Sequence, residues 1–237
     1  MSAPELWVCH LGTVDYREAL SLQERVRAAR QAEEVPDVML MLEHWPVYTR
    51  GRRSGEGELP MGEEWYRAQG IDVVDTDRGG KITYHGPGQL VGYPIVRVDD
   101  VVAYLRTLED ALAAALHHEG LPGARGRPED GPDYTGVWVG ERKIASLGVH
   151  LAHGVTTHGW AVNVENDLQP FSWVVACGLE GVQMTSLIKE TGRGAGQMPC
   201  FRKRAAFEVA RGLGRRQRLM SLARLEAAVG AGDPLSV

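Results

Sequence analysis

The chain has few cysteines: Cys9, Cys177 and Cys200, an odd number with no Cys-x-x-Cys pair, so neither a disulfide framework nor a zinc site is indicated. Charge of one sign is not in large excess. A net charge of −5 over 237 residues argues against a nucleic-acid binder. No apolar run approaches the length of a membrane span, and Met1-Ser2-Ala3-Pro4-Glu5-Leu6-Trp7 has no basic segment leading into an apolar core. A cytosolic protein is expected. The familiar phosphate loops are missing too. A P-loop needs glycine five positions before Gly80-Lys81, where Asp75 stands, and Ile82 follows the lysine where Ser or Thr belongs. Gly86-Pro87-Gly88 fails the dinucleotide pattern because Val91 occupies the third glycine's place and Pro87 stiffens the turn.

What is present is one unusual stretch, Arg78 to Ile95. It gathers five of the 29 glycines and two of the 12 prolines around an Arg, a Thr, two Tyr and a His. Such a composition brings backbone close to a ligand and presents polar groups to it. The apolar runs Ile71–Val74 and Leu90–Val96 read as strands on either side. The stretch is either a site or a glycine-rich hairpin loop without chemistry.

Hydrophobic content of 43% is ordinary for a globular chain, and no linker-like run interrupts the middle, so a single domain spanning 1–237 is expected. Asp15 to Glu34 reads as a surface helix with Asp15 placed to cap it. Val38-Met39-Leu40-Met41-Leu42 reads as a buried strand ending at Glu43-His44. Asp99 and Asp100 open a helix whose apolar positions recur every three or four residues until Gly120 ends it. Gly136–Val139 and Lys143–His150, joined at Gly140-Glu141, read as a hairpin, and Val155 to Val164 supplies another strand. Strands and helices without regular βαβ spacing predict an α/β protein with a mixed sheet flanked by helices, not a Rossmann fold. Phe201 to Arg224 holds eight Lys or Arg against one acid, Glu208, and a basic helical segment is expected at about 201–230.

Three groups are candidates for chemistry. Cys177 closes an apolar run just before Gly178, either as a buried structural thiol or as a reactive one; a reactive thiol needs a nearby cation. Lys143 sits in an otherwise apolar strand, as such a cation or as a snorkelling edge lysine. His150, His153 and His158 offer a weak metal pattern, since strand alternation would put the first two on opposite faces.

Arg78-Gly79-Gly80 followed by Thr83-Tyr84-His85-Gly86-Pro87-Gly88-Gln89-Leu90 closely resembles the signature of the lipoyl(octanoyl) transferases. Further blocks look like that family's, in the same order: His44-x-Pro46-Val47-Tyr48-Thr49-x-Gly51-Arg52, Lys143-Ile144-Ala145, Gly154-Val155-Thr156-x-His158-Gly159, Asn163-Val164, Ala176-Cys177-Gly178 and Thr185-Ser186-Leu187. The resemblance covers about Leu40 to Leu187. It implies the core fold shared by biotin and lipoate protein ligases. It also implies transfer of an octanoyl group from the phosphopantetheine thioester of octanoyl-acyl carrier protein to a lysine of apo lipoyl domains, those of 2-oxoacid dehydrogenase complexes and the glycine cleavage H protein. By resemblance Cys177 is the nucleophile, and Lys143 favours its thiolate and then deprotonates the incoming amine. Arg78, Gly79, Gly80, Lys81, Ile82, Thr83, Tyr84 and His85, with Ser146-Leu147-Gly148 and Gly159-Trp160-Ala161, would line the acyl pocket. No ATP, metal or other cofactor is expected, because moving an acyl group from thioester to amide runs downhill; nor is a nucleic-acid or membrane partner.

Overall fold

The computed structural model describes residues 3–55, 57–175 and 181–230. The chain opens with strand β1 (Glu5–Val14) and helix α1 (Tyr16–Gln31). Asp15 caps α1 as its sequence predicts, its Oδ1 accepting the N–H groups of Arg17 at 2.8 Å and Glu18 at 3.3 Å. Then come β2 (Asp37–His44), β3 (Val47–Arg50), α2 (Glu63–Ala68), β4 (Asp72–Asp75), β5 (Thr83–His85) and β6 (Gln89–Ile95). Asp100 caps α3 (Val101–His118) in the same way. The short β7 (Ala124–Arg125) precedes the expected hairpin of β8 (Gly136–Val139) and β9 (Arg142–Ala152), and β10 (Val155–Asn163) follows. The chain ends with β11 (Gln183–Met184), α4 (Leu187–Thr191), α5 (Met198–Gly212), β12 (Arg216–Met220) and α6 (Leu222–Val229).

The main sheet runs β12-β1-β2-β6-β10-β9-β8-β7, with β11 beside β9. It is mixed: β12, β1 and β2 are mutually parallel, whereas β2, β6, β10, β9, β8 and β7 are joined by antiparallel pairings. Helices cover both faces. Met39 and Met41 of β2 belong to the core under α3 and α5; Val38, Leu40 and Leu42 alternate onto the core under α1 and α6. Burial on both faces explains why β2 reads as one unbroken apolar run.

A second, three-stranded sheet, β4-β3-β5, encloses its own aromatic core around Tyr48, Tyr66, Tyr84 and Phe171. The chain crosses between the two sheets at Trp45-Pro46, between β2 and β3, and at Gly86-Pro87-Gly88, between β5 and β6. Glycine is required at the second crossing: Gly88 has φ +84°, and a Cβ there would lie 2.7 Å from the Asn166 nitrogen. The strands flanking the glycine-rich stretch therefore form no hairpin, since β4 and β6 lie in different sheets. The stretch is the seam between them.

The C-terminal basic run is helical in α5 and α6, as its sequence predicts, but a strand interrupts it between them. Arg216–Met220 is an edge strand added parallel to β1, with Arg216 and Arg218 both paired to Glu5.

Candidate active site

A cavity of about 270 Å³ opens along the seam. Its deep end is a buried cluster of rings. The His44 Nδ1–H donates to the Val14 carbonyl at 2.9 Å, which leaves Nε2 to accept the Tyr93 hydroxyl at 2.6 Å. His85 lies beside it, ring centroids 5.6 Å apart, and Tyr16 packs against both. Burial lowers the pKa of His44 to about 4 and that of His85 well below the ordinary imidazole value, and raises the Tyr16 phenol to about 12. The floor is thus polar but uncharged at neutral pH.

Asp77 is the nearby carboxylate. Its Oδ1 accepts from His158 Nε2 at 2.7 Å and its Oδ2 lies 3.5 Å from His150 Nε2. The His158 hydrogen bond is the main cause that holds Asp77 down at about 2. His158 itself sits at φ +57°, a left-handed conformation rare for a non-glycine residue in a strand, and its N–H is held by Gln23 Oε1 at 2.6 Å. Such strain persists only where the surroundings dictate it.

The family-like blocks, scattered in sequence, form one hydrogen-bond chain. Arg78 Nη2 donates to the Thr49 carbonyl at 2.6 Å and to its hydroxyl at 2.7 Å. His85 Nδ1 donates to Gln89 Oε1 at 2.7 Å, and Gln89 Nε2 donates to Asn163 Oδ1 at 2.9 Å. Asn163 Nδ2 then donates to the Thr185 carbonyl at 3.0 Å, and the Thr185 N–H donates to the Lys143 carbonyl at 2.9 Å. Arg78 and Lys143, 65 positions apart in the chain, are tied into one frame.

Lys143 lies in β9 with only 2% of its surface exposed, its Nζ 5.3 Å from the centre of the Trp138 ring. Room for it is made by Gly136, where a Cβ would sit 2.6 Å from Lys143 Cε. Met184 of β11 pairs directly beside it. Cys177 lies outside the described residues.

Of the predicted pocket residues, Arg78, Gly79, Gly80, Lys81, Thr83, His85, Ser146, Leu147, Gly148, Gly159, Trp160 and Ala161 line the cavity, together with Lys143. Ile82 and Tyr84 do not: strand alternation turns Thr83 and His85 to the cavity and sends these two into the aromatic core of the small sheet. Backbone contacts bring Arg78–Gly80 onto β9. The Gly79 N–H donates to the Val149 carbonyl at 2.9 Å, and a Cβ on Gly148 would lie 2.7 Å from the Gly79 oxygen. Sequence reasoning missed Tyr16, Tyr93, Arg53 and Asp133 as lining residues. Tyr93 stood inside the glycine-rich stretch; Tyr16, behind a helix cap, gave no signal.

Residues 15–204 match the lipoyl protein ligase A/B catalytic domain. The chain belongs to that family and, within it, to the octanoyltransferases: it is an acyltransferase that transfers octanoyl groups for protein lipoylation. It is 45% identical over 196 residues to the octanoyltransferase of Thermobifida fusca, covering 77% of this chain and 78% of the relative. It is 46% identical over 186 residues to that of Rubrobacter xylanophilus, covering 77% and 82%. Among solved structures, a bi-partite lipoate protein ligase studied with its E2 lipoyl domain from Thermoplasma acidophilum superposes with a TM-score of 0.75 at 19% identity, covering 97% of this chain and 91% of that one. A lipoate-protein ligase A bound with ATP gives 0.72 at 21%, covering 97% and 93%. At such identities these two show the shared fold. Among the described residues no helix is long and apolar enough to cross a membrane.

Proposed function

We propose that the chain takes the octanoyl group from octanoyl-acyl carrier protein onto Cys177 and passes it to the acceptor lysine of apo lipoyl domains. The acceptors would be the domains of 2-oxoacid dehydrogenase complexes and the glycine cleavage H protein, met in the cytoplasm. In the first step the Cys177 thiolate attacks the thioester carbonyl; a carbon–sulfur bond to Cys177 forms, the bond to pantetheine breaks, and the departing pantetheine sulfur takes a proton from the Lys143 ammonium, which leaves that amine neutral for the second step. In the second the acceptor amine attacks the acyl-enzyme; the amide forms, Cys177 leaves as thiolate, and the amine's proton passes to Lys143. The energy of the thioester suffices, so the reading requires neither ATP nor a metal.

The observation that carries this reading is Lys143: an amine almost wholly buried at the wall of a cavity of about 270 Å³, near the lower end of the volumes that hold small ligands. A buried amine placed beside a slim pocket is suited to proton transfer. In the Arg78–Gly80 turn the Gly79 N–H is held by the Val149 carbonyl, and the Gly80 N–H is a candidate to receive the oxyanion of the tetrahedral intermediate.

The test is intact-protein mass spectrometry after mixing enzyme with octanoyl-acyl carrier protein and no acceptor, beside Cys177→Ser. One octanoyl adduct, released by hydroxylamine and absent from the variant, is the expected result. An unmodified protein that instead acylates lipoyl domains from free octanoate and ATP would replace the reading with a ligase.

A further inference from the structure

The rim of the cavity carries cations that acyl transfer itself does not use. The cavity lining holds Arg53, Arg78, Lys81 and Lys143 against one carboxylate, Asp133, in a chain whose net charge is −5. Arg78 is buried and bonded to Thr49, and Lys143 is buried in β9. Lys81 and Arg53 are different. Lys81 is half-buried at the rim and has no hydrogen-bond or ion partner among the described residues. The chain has four lysines against 22 arginines, and two of those four face this cavity.

Backbone pairing holds the two rim cations together. The Arg52 N–H donates to the Arg78 carbonyl and the Arg53 N–H to the Gly80 carbonyl, both at 3.0 Å, so Arg53 emerges beside the segment that carries Lys81. Arg53 Nη1 spans to Asp133 Oδ1 at 2.8 Å, with both side chains about half exposed. An exposed pair of this kind is weak and is readily exchanged for a stronger anion.

Resting on the donor class proposed above, we propose that Lys81 and Arg53 bind the phosphodiester of the donor's pantetheine arm, with Asp133 holding Arg53 at the rim until the phosphate replaces it. A phosphodiester is a monoanion with two free oxygens. Arg53 offers a planar fork of donors to it and Lys81 a point charge. The acyl chain enters the cavity, and the anion stays at its rim where both cations are.

The test compares the methyl phosphodiester of octanoyl-4′-phosphopantetheine, a monoanion like the carrier's own linkage, with octanoyl-pantetheine as donors, free of any carrier protein. The wild type should favour the phosphorylated donor in kcat/KM by roughly tenfold or more, the scale of a charge-assisted hydrogen bond, with the difference in KM. Lys81→Gln and Arg53→Gln should each shrink that ratio toward one, and Asp133→Asn should enlarge it by freeing Arg53. Equal use of both donors by the wild type, or a ratio that the variants leave intact, overturns the inference. So does an effect of the variants seen only with whole carrier protein, which would assign the cations to the carrier's surface. Rejection of both thioesters by an enzyme that transfers from free octanoate and ATP overturns the donor reading itself.

Discussion

Glycine at Gly159 is fixed by what stands opposite it: a Cβ there would land on the Gly92 carbonyl oxygen and 2.7 Å from Pro94 Cδ. Backbone and a proline ring cannot swing aside as a flexible side chain does. Gly159→Ala should cost about 1–3 kcal/mol and lower octanoyl transfer, because the strand that must shift forms the cavity wall. Gly123→Ala, with nothing within 4 Å of its Cβ, should leave the melting temperature unchanged or slightly raised. Thermal melts of the two variants, run side by side, check the contrast; equal melting temperatures would refute it. Glu109 is the polar counterpart. It is 1% exposed on α3, accepts the Gly136 N–H at 2.7 Å and pairs with Arg106. Gly136 is also the residue that makes room for Lys143, so Glu109 fixes the start of β8 where the lysine is held. Glu109→Ala leaves a buried N–H unsatisfied and should lower the unfolding free energy by about 1–3 kcal/mol in urea titrations, with Glu109→Gln recovering part of it.

At the scale of elements, the parallel edge β12-β1-β2 depends on one buried carboxylate. Asp37, at the start of β2 and 4% exposed, accepts from Arg30 Nε of α1 at 2.7 Å, from Arg215 Nε at 2.8 Å and from the Arg97 N–H at 3.2 Å. It ties α1, the turn before β12 and the end of β6 to one point. Asp37→Ala strands two partly buried guanidiniums and should destabilise by about 3 kcal/mol, near the low end of a broken buried pair. A urea midpoint close to the wild type's would contradict that. The same contacts change the meaning of the basic C-terminal run. Arg215 serves Asp37, and Arg216 and Arg218 serve Glu5, so reversing their charge would loosen the edge of the sheet. Elements with a local signature were legible in sequence: α1 and α3 through their caps, β2 through its two-sided apolar run, the β8–β9 hairpin through its turn at Gly140, where φ is +57°. What was not legible depends on distant partners. β5 is a strand only because β3 lies beside it, and β12 only because β1 does; neither has a pattern of its own. The cavity residues within the glycine-rich stretch could be read in advance. Tyr16 reaches them only through the packing of α1 against the sheet.

For the molecule as a whole, the notable charge state is that of the buried imidazoles where the two sheets meet. His44, His85 and His158 are all held below the ordinary imidazole pKa, in each case chiefly by burial. On unfolding, each regains water and its ordinary value near 6.5, so below that pH the unfolded chain binds protons that the folded one refuses. Stability is therefore fully present above about pH 6.5 and is lost as pH falls toward the folded values, about 4 in the case of His44. Asp77 acts in a lower window: its folded value is about 2 against an ordinary 3.8, so its contribution is fully present above about pH 4 and is lost as the pH falls from there toward 2. His44 alone should cost about 1.5 kcal/mol between pH 6.5 and pH 5, since one pKa unit corresponds to about 1.4 kcal/mol, and the other two imidazoles add in the same direction. Urea unfolding at pH 7.5, 6.5, 5.5 and 5.0 should show a plateau followed by a descent steeper than one imidazole can produce, and replacing His44 with a residue that does not titrate should flatten it. A protein equally stable at pH 5.0 and pH 7.5 would mean that the folded floor accepts protons as readily as the unfolded chain, and the seam would then be wetter than its packing indicates.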